Sequence, residues 1–77
     1  MHILHIHVDR PGDTAQRLLD ALAEQRGTTL VAHGSQVHGL RADGADRDAI
    51  LAEIERELDQ IARSLGIPRW ADHLQVS

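Results

Sequence analysis

Residues 2–26 read HILHIHVDRPGDTAQRLLDALAEQR, a stretch whose periodicity changes once, at a proline–glycine turn. In residues 2–8, Leu4, Ile6 and Val8 alternate with Ile3, His5 and His7. That period of two predicts a strand with one apolar face. Asp9-Arg10-Pro11-Gly12 is turn chemistry, since proline fixes φ and glycine is free to take a positive one. Beyond it, Ala15, Leu18, Leu19, Leu22 and Ala23 recur at helical spacing, which predicts a helix over about 14–26. Asp13, with Gln16 three residues on, has the form of a capping box, and Gly27 supplies the stop.

The rest of the chain repeats this grammar. Residues 28–33 and 37–42 are short β-favouring runs around Gly34-Ser35-Gln36, which predicts a hairpin. Asp46 precedes a second helix over 47–65, marked by Ile50, Leu51, Ile54, Leu58, Ile61 and Leu65, with Asp59–Arg63 as an i,i+4 pair. Gly66-Ile67-Pro68 ends it, and Asp72–Val76 is a candidate last strand with Leu74 and Val76 on one face. The order is β-α-β-β-α-β in a single domain, residues 1–77. Two right-handed crossovers joined by a hairpin predict an α+β, ferredoxin-like sandwich: a four-stranded antiparallel sheet with two helices on one face. In that arrangement strand one lies between strands three and four.

Composition narrows what such a domain can do. The chain has no cysteine, which removes disulfides, thiolate metal sites and a cysteine nucleophile. The apolar run at the start is too short, and too interrupted by histidine, for a signal peptide or membrane span. A cytoplasmic location is expected. The net charge is −4, and the eight basic residues, all arginine, are scattered among acids, which argues against a nucleic-acid or anionic-membrane surface. A sheet reading RNA would also need stacking rings. Trp70 is the only aromatic ring beside ten Leu, six Ile and four Val. Aromatic side chains bury the most area each, so this core is thin for its length. A homo-oligomer, a dimer in the simplest case, would cover more surface and is expected.

Two groups of residues could carry function. The first is the turn. The segment HVDRPGDTAQRLLDALAEQRGTTL, residues 7–30, resembles the opening of ACT domains, small ferredoxin-like regulatory modules whose first strand commonly ends in a DRPG-like turn. The resemblance implies a regulatory domain whose turn lies at a domain interface and binds an amino acid. Asp9, Arg10, Pro11 and Gly12 would then line a site for a small polar metabolite. Asp13, at a position usually apolar in that family, completes the candidate set.

The second group is histidine, six in 77 residues. If Leu4, Ile6 and Val8 face the helices, His5 and His7 lie on the opposite face. His73 joins them from the last strand and His33 from the far edge, if those strands keep the same phase. Imidazoles at i,i+2 on a strand, with one from a neighbour, can ligate Zn²⁺ or Ni²⁺ at about 2.1 Å. The alternative for such rings is an amphipathic face covered by a partner. Catalysis has little to stand on. Ser35 has His33 and His38 nearby in sequence but no orienting third group, and there is no Walker A or GxGxxG loop. No catalytic residue is assigned. A non-enzymatic binding or regulatory domain that self-associates and takes a small ligand or protein partner is therefore expected, with no cofactor. A histidine-faced Zn or Ni binder is the rival reading.

Overall fold

The computed structural model describes residues 1–77. Strand β1, His2–Val8, leads through the turn into helix α1, Asp13–Arg26. A two-residue strand β2, Val31–Ala32, and β3, Val37–Ala42, form the hairpin. Helix α2 spans Arg47–Leu65, a 3₁₀ turn covers Trp70–Asp72, and β4, Leu74–Val76, closes the chain. The strands form one antiparallel sheet in the order β2-β3-β1-β4. This α+β architecture, a four-stranded sheet with two helices, is compatible with a ferredoxin-like arrangement.

Strand alternation decides which face is covered. Leu4 and Ile6 are fully buried, as are Leu40 from β3 and, nearly so, Leu74 from β4. They join Leu18 and Leu22 of α1 with Ile54 and Leu58 of α2 in one cluster of 16 apolar residues. None of these is aromatic, and Trp70 only flanks the cluster. Both helices draw on the same face of β1, so the opposite face is left without a covering layer.

The second helix follows its local signals closely. Asp46 caps it, its carboxylate accepting from the backbone N–H of Asp48 at 3.0 Å and of Ala49. Gly66 ends it in the left-handed conformation, with φ of 73°. Four expectations need correction. Gly12 rather than Asp13 is the N-cap of α1, and no side chain caps it. Gly12 holds φ 149°, ψ −169°, which carries the turn up to Asp13 and makes that residue the first of the helix. Gln16 accordingly donates to Asp20 at 2.8 Å instead of closing a capping box.

The second strand is much shorter than expected. The Thr28 N–H donates to Ala23 O and helps finish the C-terminal cap of α1, so the run 28–33 cannot pair throughout. The Asp59–Arg63 pair also gives way: Asp59 accepts from the indole N–H of Trp70 instead. Finally, residues 72 and 73 lie outside the last strand, in and beside the 3₁₀ turn.

A half-buried ion pair ties the two helices together. Arg26 Nη1 lies 2.8 Å and 3.0 Å from the two carboxylate oxygens of Glu57, with both side chains 16% exposed. Sequence spacing gives no hint of it, because the partners are 31 residues apart.

Candidate functional site

The open face of the sheet gathers most of the chemistry singled out in the sequence. Register across β1 and β3 sets Ile3 opposite Arg41, His5 opposite Gly39 and His7 opposite Val37. Val31 from β2 pairs with Gly39, and Gln75 from β4 pairs with His7. Since the alternate residues Leu4, Ile6, Leu40 and Leu74 are in the core, these residues project from the uncovered side. The three large apolar side chains that stand exposed are Met1, Ile3 at 50% and Val31 at 51%. Ile3 and Val31 lie on this face, and Met1 reaches its edge, where its sulfur accepts from Arg41 Nε. Within the strands, this face carries no Asp or Glu.

His33 joins His5 here, in the phase expected. Their ring centroids are 6.2 Å apart, with the planes tilted by 50°. Gly39 makes that approach possible. It is buried in the middle of β3, and a β-carbon placed on it would lie 2.9 Å from His33 Nε2 and 3.7 Å from Ile3 Cγ2. Its backbone is ordinary strand, so the glycine supplies space and not a special conformation.

The other two metal candidates do not join this pair. His7 is exposed farther along β1, opposite Val37. His73 caps the 3₁₀ turn with φ −108° and ψ −34°, so strand alternation does not extend to it. Its carbonyl accepts from the N–H groups of Asp9 at 2.8 Å and Arg10 at 3.3 Å. No group of three or more His, Asp or Glu side chains is placed to hold a metal ion within one chain.

The turn Asp9–Gly12 borders a different feature. Pro11 and Gly12 line a cavity of about 110 Å³ with Gln16, Leu19, Ser35 and His38. A groove of about 320 Å³ adjoins it along α1, sharing Gln16, Leu19 and His38 and adding Asp20, Thr28 and Thr29. Asp9, Arg10 and Asp13 are exposed and line neither. His38 is the residue that sequence reasoning did not assign to a ligand site. Its signal was available: it shares the inward phase of Leu40 and Ala42, directly opposite Ile6. Ser35 joins it from the hairpin.

Two larger cavities carry less chemistry. One of about 550 Å³ lies between the helices, lined by Ala21, Glu24, Gln25, Gln60, Ile61, Ser64 and Leu65. Another, about 450 Å³, sits beside Arg26 and Arg41, but Arg26 is already held by Glu57. No helix is long and apolar enough to cross a membrane. No protein-family model, curated protein or solved structure matches the chain.

Proposed function

We propose that the chain is a ferredoxin-like, non-enzymatic binding domain that pairs with a second copy of itself through the open sheet face. The observation that carries this reading is the position of Ile3 and Val31, half exposed on one uncovered face above an otherwise closed core. A second copy fits that face better than a strongly charged partner does, because its strand residues include one arginine, Arg41, and no carboxylate.

Light scattering tests this directly, with an expected mass twice the 8.5 kDa of the chain at millimolar concentration, falling toward one chain on dilution. A mass of one chain at millimolar concentration overturns it.

A second reading concerns the cavity beside the turn. Ser35, His38 and Gln16 converge beside the uncapped start of α1, where backbone N–H groups and the helix dipole favour an anion. Together with the ACT-like turn, this supports binding of a small carboxylate such as an amino acid. A panel of amino acids in a thermal-shift assay tests it, because a ligand at a hundred times its dissociation constant stabilises a fold by about 2.7 kcal/mol. His38→Ala should erase the shift. Gly12 substitutions do not serve, since its backbone angles are ones that side-chain-bearing residues rarely adopt, at a cost of about 1–3 kcal/mol. No shift with any amino acid removes this reading.

A further inference from the structure

His5 and His33 stand side by side on the open sheet face. We infer that two copies of the chain, facing each other across their open sheets, bring two such pairs together into a four-imidazole site for Zn²⁺ or Ni²⁺. The inference rests on the pairing proposed above and names what the pairing would hold.

Geometry favours this pair among the histidines. An imidazole nitrogen binds these ions at about 2.1 Å, which sets two ring centroids on a shared tetrahedral ion roughly 5 Å apart. The observed separation of 6.2 Å needs only a small rotation of two exposed side chains. Gly39 is the structural commitment to this approach. Glycine weakens a strand interior and has no side chain to pack, yet here it stands opposite His5, with the His33 ring over the place its β-carbon would fill. A larger residue there forces the His33 ring to shift from its position beside His5.

Chemistry selects the ion. The strand residues of this face supply nitrogen and no carboxylate, and imidazole suits Zn²⁺ and Ni²⁺ where Ca²⁺ and Mg²⁺ need oxygen. The surroundings suit it too. Ile3 touches the space above Gly39, and Val31 is in register with it. In the pair, such a rim would limit the access of water to the ion. One chain cannot complete the site, because it brings no third ligand. A facing copy adds two more rings from the same place if the twofold axis passes over Gly39. An isologous interface then sets each pair against its own equivalent.

The test uses the untagged chain, with Zn²⁺ and then Ni²⁺ as the probes, in sedimentation and titration calorimetry. Each ion should bind at one per two chains and tighten association at least tenfold, and a chelator should reverse this. His5→Ala and His33→Ala should erase the effect, while His7→Ala and His73→Ala leave it. Gly39→Ala is the decisive variant: it should keep the folded circular dichroism spectrum, because alanine suits a strand at least as well, yet lose the metal effect with His33 displaced. The metal-free arm separates this inference from the pairing beneath it. A metal-free dimer indifferent to both ions overturns the metal site and leaves the pairing intact. Binding of one ion per chain, or equal losses in His7→Ala and His33→Ala, overturns the shared site. A chain that stays single with and without metal overturns both.

Discussion

Ile54→Ala is expected to remove most of the stability of the fold. Ile54 is fully buried on the inward face of α2, in a cluster of 16 residues that contains no aromatic ring. Truncating such a side chain loses its transfer free energy and leaves a cavity, at about 2–5 kcal/mol. Domains near the lower size limit have small reserves, and natural proteins in general stand only about 5–15 kcal/mol above unfolding. Urea denaturation followed by circular dichroism should show the midpoint collapsing for Ile54→Ala and barely moving for Glu55→Ala, one residue on and exposed. A loss of less than about 1 kcal/mol at Ile54 would mean that the core can collapse around the gap or is packed otherwise.

Ile3→Glu should abolish pairing while sparing the fold. In the single chain Ile3 is 50% exposed, so a carboxylate there can stay hydrated. In a symmetric pair each substitution occurs twice, so two carboxylates are taken out of water with only the cross-strand Arg41 beside each. Desolvating a charge costs several kcal/mol even when it is paired, so association should weaken by at least a hundredfold. Light scattering at a fixed concentration reads the change, with denaturation midpoints as the control. An unchanged mass for Ile3→Glu would exclude this face from any assembly.

The parts of this fold that can be read from sequence are those fixed by local chemistry. Helix α2 carries its stripe, its Asp46 cap and its Gly66 stop within one segment, and the observed bounds are the expected ones. The phase of β1 is equally plain, because Leu4, Ile6 and Val8 cannot be buried without turning His5 and His7 outward. Features set by tertiary partners were not readable. Asp59 has Arg63 at helical spacing but bonds to Trp70, which the chain brings back only after the Pro68 turn. Strand β2 is shortened by a C-terminal cap that uses Thr28.

The candidate sites divide along the same line. That His5 and His33 share a face follows from alternation. That they meet depends on Gly39 falling in register with His5, a property of the β1–β3 pairing that no local spacing specifies. His73 fails to join them because the 3₁₀ turn at Trp70–Asp72 breaks the alternation just before β4. At the turn, Pro11 and Gly12 border a cavity, whereas Asp9 and Arg10 are committed through their backbone to the His73 carbonyl. His38 entered that cavity from the opposite wall, by the same alternation that put Leu40 in the core.

Two copies that meet at the open sheet face should leave their mark in a dilution series followed by amide chemical shifts. Between millimolar and micromolar concentration, the amides of Ile3, His5, Val31 and Gly39 should move together along one binding curve. Those of Glu55 and Gln60, exposed on α2, should stay still. Shifts that do not depend on concentration, or that move on the helices while the sheet stays fixed, would contradict the account.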